Sequence, residues 1–215
     1  MFRRKPLFIT FEGTEGSGKT YQCKKLFNEL KKKKLPVILT REPGGTKSAE
    51  KIRNLILEDY FGSDSKEKFR KYTDTLLYLA ARNEHVQNII KPALSKNRIV
   101  LCDRFTDSTL AYQVFGKGVS KVLVDSVHKF ILGSIKPDLT FVLKVNISKA
   151  LQRLKKRQKK NRYDKFSKNF YIKVQDSFIK IAKKNKKRYC IVDNSEDTIE
   201  TENIIYNKFT QLLNK

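Results

Sequence analysis

The sequence predicts an α/β fold, a five-stranded parallel sheet flanked by helices. Short apolar runs alternate with longer segments of helical patterning throughout the 215 residues. The central residues of these runs are nearly all apolar, which is typical of strands buried on both faces of a parallel sheet. Neither an internal repeat nor a Pro/Gly/Ser-rich linker divides the chain. We therefore expect a single domain over residues 1–215, a length that buries roughly 70 % of the unfolded surface.

Five apolar runs are the predicted strands. A segment at 21–30 with helical spacing of its apolar residues follows the first run, and Pro36 introduces the second. The runs lie at residues 7–11, 37–39, 98–102, 140–143 and 189–192. Parallel sheets bind ligands at the carboxyl ends of their strands. The polar residues after each run are therefore the candidate site residues.

A glycine-rich segment follows the first predicted strand. A loop whose backbone N–H groups converge on one anion needs residues without a Cβ, here Gly13, Gly16 and Gly18. Lys19 brings a positive charge to the terminal phosphates, and the Thr20 hydroxyl is a ligand for Mg²⁺. The helix that starts at about Lys19 directs its N-terminal dipole at the same anion. The predicted loop for a nucleotide phosphate is Gly13, Thr14, Glu15, Gly16, Ser17, Gly18, Lys19 and Thr20.

Charged residues follow the second and third predicted strands. The turn TREPGGT occupies residues 40–46, and Asp103 and Arg104 follow the third strand. Asp103 is a candidate carboxylate for Mg²⁺ beside the phosphate loop, and Glu12 at the end of the first strand is a candidate of the same kind. Two plainer alternatives stay open. The TREPGGT segment can be only a tight turn, and Asp103 can be the N-cap of the next helix.

Tyr78 and Arg82 are four residues apart in an apolar segment and so lie on one face of a predicted helix. Such a pair can stack on a planar base and donate hydrogen bonds to its edge. A core tyrosine beside a surface arginine fits the same spacing, and the segment 112–113 has the same ambiguity. His85 and His128 have no metal-like or nucleophile-like partners, so we expect ordinary helix residues.

The stretch 151–168 is densely basic and contains Arg153, Arg157 and Arg162. Such runs are usually solvated faces or mobile loops. Phosphoryl transfer, however, depends on compensating charge around the moving group, and an arginine can arrive on a closing loop. The phosphate loop contains no arginine. We therefore treat residues 151–168 as a candidate lid.

The composition limits the class of protein. Lys and Arg number 47 against 22 Asp and Glu, which gives a formal charge of +25 and invites a nucleic-acid interpretation. The excess is mostly lysine on helix surfaces without interleaved aromatic residues, so a solvated surface explains it better. The three distant cysteines indicate reduced thiols, and the first apolar run is too short for a signal peptide or a membrane span. We expect a cytoplasmic protein with no specific nucleic-acid partner and no membrane association.

Together these segments resemble the bacterial thymidylate kinase family, whose members phosphorylate dTMP with ATP. The resemblance rests on FEGTEGSGKT at residues 11–20, TREPGGT at 40–46, YLAAR at 78–82, DRF at 103–105, DSTLAYQ at 107–113 and PDLT at 137–140. It implies a P-loop NTPase fold of the nucleotide kinase type with a lid. It also implies ATP and dTMP as substrates, Mg²⁺ as cofactor and a homodimer.

The resemblance further implies roles for individual residues. Loop 13–20 would bind ATP, and Thr20 and Asp103 would lie near Mg²⁺. The implied catalytic residues are Lys19, Arg104, Arg157 and Arg162. The implied dTMP-binding residues are Glu12, Glu42, Arg53, Tyr78, Arg82, Arg104, Ser108, Tyr112 and Gln113. In that set Tyr78 would stack on thymine, Arg82 and Gln113 would reach the base edge, and Tyr112 would disfavour ribonucleotides.

Some positions depart from the family pattern. Tyr78 stands where phenylalanine is common, Asn161 replaces an acid in the lid, and Lys144 replaces an aspartate. Residues 114–115 replace a glycine-rich continuation, which leaves the shape of that helical region open. Two other function classes also stay open. One is a different nucleoside or nucleoside-monophosphate kinase, and the other is a basic P-loop ATPase that binds nucleic acid.

Overall fold

The computed structural model describes residues 5–58, 68–158, 161–196 and 198–214. Its strands form one parallel sheet in the order β2-β3-β1-β4-β5. They are β1 (Leu7–Glu12), β2 (Val37–Arg41), β3 (Ile99–Asp103), β4 (Leu139–Lys144) and β5 (Tyr189–Asp193). The predicted five-stranded parallel sheet is confirmed.

The observed strands extend past the carboxyl ends of the predicted apolar runs. Glu12 and Asp103 close β1 and β3, and Arg41 closes β2, so polar residues continue the hydrogen-bonded ladder after the apolar side chains end. Arg98, predicted to start the third strand, instead donates its backbone N–H to Ala93 O at 3.0 Å in the preceding turn. Apolar patterning alone therefore misplaces the third strand by one residue.

Helices cover the sheet on both faces. A π-helical segment, Val86–Ile90, continues the α-helix Lys71–His85, another, Leu110–Gly116, continues the α-helix Thr106–Thr109, and a 3-10 helix spans Arg162–Lys165. The α-helices are α1 (Lys19–Lys32), α2 (Lys47–Leu57), α3 (Lys71–His85), α4 (Lys91–Ser95), α5 (Thr106–Thr109), α6 (Lys121–Leu132), α7 (Ile147–Lys155), α8 (Lys168–Lys183) and α9 (Ile199–Leu213). Of the helices in the described ranges, none has the length and apolar character needed to span a bilayer.

The core lies on both faces of the central strand. Ile9 and Phe11 of β1 pack with Leu26 of α1 and Phe209 of α9, whereas Phe8 packs on the opposite face with Leu79 of α3. Successive strand residues point to opposite faces. The mainly apolar run of β1 therefore contributes to two core layers, as the sequence predicts.

The strand register brings three functional loops to one edge. Asp103 at the end of β3 pairs with Phe11 of β1 on one side and with Arg41 of β2 on the other. The loops that follow β1, β2 and β3 therefore begin side by side.

Candidate active site

The glycine-rich loop after β1 has the backbone that the sequence predicts. Gly18 is the N-cap of α1 with φ +85°, and Gly16 has φ +72°. A Cβ on Gly16 would lie 2.5 Å from Ala150 O of α7, so this position excludes other residues on two grounds. The loop is closed tightly against α7.

Lys19 opens α1 with its ammonium inside this loop. The Nζ atom lies 2.5 Å from Thr14 O and 3.3 Å from Ser17 Oγ. The side chain is buried, and burial lowers the pKa of Lys19 to about 8. An anion in the loop would reverse this effect, because a nearby negative charge favours the protonated amine.

Thr20 and Asp103 meet at the mouth of the loop. The Thr20 hydroxyl donates to Asp103 Oδ2 at 2.5 Å, and Asp103 Oδ1 is buried without a hydrogen-bond partner among the described residues. Mg²⁺ takes oxygen ligands and commonly uses one or two carboxylates together with phosphate oxygens and water. No group of three or more His, Cys, Asp or Glu that could hold a metal occurs in the described ranges. The chemistry of the Thr20 hydroxyl and the Asp103 carboxylate fits a magnesium ion that also binds a phosphate.

Arg104 joins the phosphate loop to a second group of side chains. Its Nη1 donates to Gly13 O at 2.9 Å and to Ser108 Oγ at 3.1 Å, and its Nη2 donates to Glu15 Oε1 at 2.9 Å. The backbone at Arg104 has φ +72°, a left-handed conformation that is uncommon and strained for a residue with a side chain. The guanidinium also lies 5.3 Å from the centre of the Tyr112 ring.

The backbone and the side chain of Glu15 lie in two different parts of the site. Its backbone lies in the predicted phosphate loop, and its carboxylate contacts Arg104 and accepts a hydrogen bond from the Tyr112 hydroxyl. Burial by itself would raise the pKa of Glu15, but the charges of Arg104 and Lys19 outweigh burial and hold that pKa below its ordinary value. The Glu15 side chain therefore faces the residues that the sequence assigns to the acceptor nucleotide.

Glu12 lies beneath this group, completely buried. Its carboxyl accepts hydrogen bonds from the Phe105 N–H at 2.7 Å and from Ser108 Oγ at 2.6 Å. Burial, with a smaller contribution from the Asp107 charge, raises the pKa of Glu12 to about 8. Glu12 therefore supports Ser108 and the start of α5 from below.

We expect Glu12 to make the free energy of unfolding depend on pH. The folded protein binds more protons than the unfolded chain between the ordinary pKa of 4.5 and the folded value of about 8. This contribution to stability is complete below pH 4.5 and is lost as pH rises through 8, with a slope of at most about 1.4 kcal/mol per pH unit. Urea unfolding between pH 5 and 8 should show a shallower decline for Glu12→Gln than for the unmodified protein. Identical declines would contradict the assignment.

Arg82 projects from α3 into a polar network. Glu42 Oε2 accepts from Nε at 2.7 Å, and the Phe105 carbonyl accepts from Nη2 at 3.0 Å. Thr109 Oγ1 and His128 Nε2 lie 2.8 and 2.6 Å from Nη1. A guanidinium has five N–H bonds, so one N–H on Nη2 remains for a ligand. Glu42, predicted near the acceptor phosphate, positions Arg82 in this structure.

His85 and His128 lie on helices α3 and α6, as expected, but both join the buried polar network around Glu42 and Arg82, which the sequence did not predict. His85 is fully buried, with Nδ1 at 3.0 Å from Glu42 Oε1 and Nε2 at 2.6 Å from Thr40 Oγ1. His128 Nε2 must accept from Arg82, because a guanidinium only donates, and burial lowers the pKa of His128 to about 3. His85 lies three residues after Arg82 on the same helix face, a spacing that could have revealed the network.

The turn after β2 closes the same region. The Glu42 N–H donates to Asp103 O at 2.9 Å, and the Glu42–Pro43 peptide bond is cis. Arg53 of α2 donates from Nη1 to Pro43 O at 2.6 Å. The turn is therefore held between β3 and α2, which places Arg53 beside Glu42 as the family resemblance implies.

A cavity of about 650 Å³ brings these groups together. Most residues predicted for the two nucleotides line it, and Glu12 supports it from below through Ser108. The lining includes Glu15, Lys19, Thr20, Glu42, Arg53, Tyr78, Arg82, Asp103, Arg104, Ser108, Tyr112, Gln113 and Arg157. Tyr112 and Gln113, consecutive in the π-helical segment Leu110–Gly116, both line it.

The three arginines of the basic segment, residues 151–168, contact different parts of the protein. Arg157 lines the cavity and lies 3.6 Å from Asp164, whereas Arg162 pairs with the buried Asp74 of α3 and is not among the described residues that line the cavity. Arg153 donates to Gly16 O and Ser195 O, both at 3.0 Å. Of this segment, residues 159–160 lie outside the described ranges.

The loop after β5 was missed by the sequence analysis. Asn194 is fully buried, and its Nδ2 donates to Ser17 O at 2.8 Å. Its backbone carbonyl accepts from Arg153 at 3.2 Å. The strand-end rule that selected residues after β1 to β3 would have selected Asn194 if it had been applied to β5. Thr109, which also lines the cavity, was missed as well.

Comparisons with known proteins agree with this geometry. The thymidylate kinase family model matches residues 11–205. A thymidylate kinase from Mycoplasma capricolum is 42 % identical over 200 residues, which cover 92 % of this chain and 91 % of the relative. One from Wolbachia pipientis is 43 % identical and covers 92 % and 93 % of the two chains. The crystal structure of thymidylate kinase from Ehrlichia chaffeensis superposes with a TM-score of 0.74 at 34 % identity, covering 97 % of this chain and 99 % of that one.

Proposed function

This chain belongs to the thymidylate kinase family, and from that premise we propose that it transfers the γ-phosphoryl group of ATP to dTMP, giving dTDP for dTTP synthesis. The single observation that carries the proposal is the position of the Arg104 guanidinium between two groups of residues. Its guanidinium bonds the carbonyl of Gly13 in the phosphate loop and the side chains of Ser108 and Glu15 in the neighbouring group. A P-loop NTPase that phosphorylates an already phosphorylated acceptor needs a cation at this junction.

The proposed reaction is direct transfer. A dTMP phosphate oxygen bonds to the γ-phosphorus of ATP while the bond from that phosphorus to the β–γ bridging oxygen breaks. The acceptor oxygen is already ionised, so positioning and charge neutralisation supply the catalysis without a strong general base. In this assignment Lys19 and loop 13–20 hold the ATP phosphates, and Arg104 holds the acceptor phosphate. Thr20 and Asp103 would hold Mg²⁺, which offsets phosphate charge when bound.

The base-binding assignment uses the other half of the cavity. Tyr78 offers a ring on which thymine can stack, and Arg82 retains one N–H for a base oxygen. The ring of Tyr112 lies beside the group formed by Arg104 and Glu15, where it would crowd the sugar 2′ position. These roles rest on the family resemblance together with the common cavity.

A side-by-side rate assay tests the function. With ATP as donor, dTMP should give the highest kcat/KM among dTMP, dUMP, dCMP, AMP and thymidine, and thymidine should fail because it lacks the acceptor phosphate. A preference for thymidine or AMP would support a different nucleotide kinase. ATP hydrolysis stimulated by DNA without transfer to dTMP would support the basic ATPase, which the +25 charge suggests. The family match does not favour that alternative.

We propose that residues 151–168 act as the lid and that Arg157 supplies the lid charge. Because Arg157 lines the cavity while Arg162 pairs with Asp74, we expect Arg157→Ala to lower kcat about 100-fold with a smaller change in KM for dTMP. Arg162→Ala should lower kcat less. Lys155→Ala, at the exposed end of α7, is the matched control. A larger loss for Arg162→Ala would transfer the catalytic role to Arg162.

We also propose a cytoplasmic homodimer. Tyr72 and Leu76 on α3 and Val122 and Phe130 on α6 are exposed, and Phe130 is 88 % exposed. Helices α3 and α6 pack against each other, so a second copy of the chain would cover apolar side chains on neighbouring elements. The unpaired Cys23, Cys102 and Cys190 suit a reducing compartment.

Sedimentation equilibrium should give about twice the 25.1 kDa chain mass. We expect Phe130→Asp to shift the protein toward the monomer, because a carboxylate at the interface would lose hydration. A monomer at all concentrations of the unmodified chain would rule out the dimer.

A further inference from the structure

A buried polar group outside the predicted site surrounds the hydroxyl of Tyr163. The Tyr163 oxygen lies 3.1 Å from Asp74 Oδ2, 3.2 Å from Lys117 Nζ and 3.4 Å from Gln113 Nε2. Asp74 is 1 % exposed and Tyr163 is 3 % exposed. We call Asp74, Lys117 and Tyr163 the hydroxyl cluster. It is built from α3, the turn after the π-helical segment and the lid.

The chemistry of these groups fixes the direction of each hydrogen bond. A tyrosine hydroxyl has one proton to donate and two lone pairs to accept with. The Lys117 ammonium only donates, and the Asp74 carboxylate only accepts, so the phenol proton points to Asp74. Because its proton is used in this way, the Tyr163 oxygen can only act as an acceptor toward Gln113, so the Gln113 amide must donate to it. With the amide reversed, the Gln113 carbonyl would face an oxygen that has no proton to share.

The Gln113 amide is therefore held in one orientation. Its NH₂ group faces Tyr163. Among the described residues, Tyr163 is the hydrogen-bond partner of the Gln113 side chain. Gln113 also lines the cavity, so the amide oxygen is the atom it offers to a ligand. Arg82, in the same cavity, offers only an N–H donor. At the proposed base edge, Gln113 thus offers one acceptor and Arg82 one donor.

We propose that the hydroxyl cluster positions the Gln113 amide so that the pocket accepts a 4-keto pyrimidine and rejects cytosine. Thymine and uracil present an N3–H donor beside the O4 acceptor, which match Gln113 and Arg82. Cytosine presents an N3 acceptor beside an N4 amino donor and mismatches both. A site whose polar groups cannot reorient leaves them unpaired with the wrong base and discriminates strongly. This inference rests on the proposed dTMP kinase function, and it assigns Asp74, Lys117 and Tyr163 as positioning residues.

The lid takes part in this arrangement because it carries Tyr163. The Tyr163 ring lies edge-on to Tyr78 at 6.2 Å and to Tyr112 at 5.8 Å, and Arg162 pairs with Asp74. The bond that fixes the Gln113 amide therefore forms when the lid segment lies on α3.

The Asp74→Asn variant tests the proposal by removing the negative charge that holds the hydroxyl cluster together. Asp74 also accepts from Lys117 Nζ at 2.6 Å and pairs with Arg162, so the neutral amide weakens the contacts that fix the phenol proton and, through it, the Gln113 amide. We expect kcat/KM for dCMP relative to dTMP to rise about tenfold or more, equivalent to about 1.4 kcal/mol. The ratio for dUMP relative to dTMP should not change, because uracil and thymine share the same N3–H and O4. A loss of packing alone would not separate these two ratios.

A second variant and two controls complete the test. Tyr163→Phe keeps the ring but frees the Gln113 amide, so the dCMP to dTMP ratio should rise in this variant too. Asp125→Asn removes an exposed carboxylate paired with Lys121 on α6 and should leave both ratios unchanged. In a Gln113→Ala background, Asp74→Asn should have no further effect on the dCMP ratio.

The outcomes separate the inference from the function on which it rests. Unchanged dCMP to dTMP ratios in folded Asp74→Asn and Tyr163→Phe would overturn the positioning role while leaving dTMP kinase activity in place. An unmodified protein that does not phosphorylate dTMP would instead overturn the proposed function. If Asp74→Asn does not fold, Tyr163→Phe decides the question by itself.

Discussion

Replacing Lys19 by alanine should lower kcat about 1000-fold while leaving the fold intact. The Lys19 ammonium lies inside the phosphate loop, where its protein contacts are the Thr14 carbonyl and the Ser17 hydroxyl. Removing a buried cation whose pKa is already lowered to about 8 costs the folded protein little. The loss therefore falls on the bound phosphates, which need the charge during transfer.

Lys25→Ala is the matched control for this experiment, because Lys25 lies on the exposed side of the same helix and pairs with Glu202 at 3.5 Å. Thermal unfolding should be similar for both variants, and only Lys19→Ala should lose turnover. A purified Lys19→Ala protein with near-normal turnover would contradict the assignment of the loop to ATP.

Replacing Arg104 by alanine should lower kcat about 1000-fold and also raise KM for dTMP. Arg104 bonds Gly13, Ser108 and Glu15 at once, so its loss removes a charge and disconnects the loop from the acceptor side. The Glu15 carboxylate would then lose the cation that lowers its pKa and would repel the acceptor phosphate. Arg104→Lys should recover only part of the rate, since an ammonium cannot reproduce the planar set of guanidinium donors.

Arg98→Ala removes an exposed arginine just before β3 and serves as the control for this pair of variants. Steady-state kinetics with dTMP varied at saturating ATP separates the two effects. If Arg104→Ala changes KM for ATP and leaves both kcat and KM for dTMP unchanged, Arg104 belongs to the donor site alone.

Much of the site could be predicted because it is local in sequence or fixed by the sheet. The loop 13–20 is continuous, and its glycines have the left-handed φ angles that the motif demands. Asp103 and Arg104 follow a buried strand whose neighbour ends in the phosphate loop. In a parallel sheet these ends must share an edge, so strand patterning alone predicted that they would meet.

The sequence predicted less well how individual polar atoms are used. Arg82 was assigned to a base edge, but four of its five N–H bonds contact protein atoms. His85 and His128 were passed over because neither has a chemical partner nearby in sequence. Their partners come from β2, the turn after it and α3, and burial makes each of those contacts obligatory.

The sequence by itself determined the parallel sheet and the glycine-rich loop, since the first depends on apolar runs and the second on a short motif. Only the tertiary structure decided where side chains point. It turned the Glu15 carboxylate toward Arg104, separated Arg157 from Arg162, and placed Tyr163 against Gln113. These contacts join residues 50 to 89 positions apart in the chain, and packing sets such contacts because no local pattern records which donor meets which acceptor.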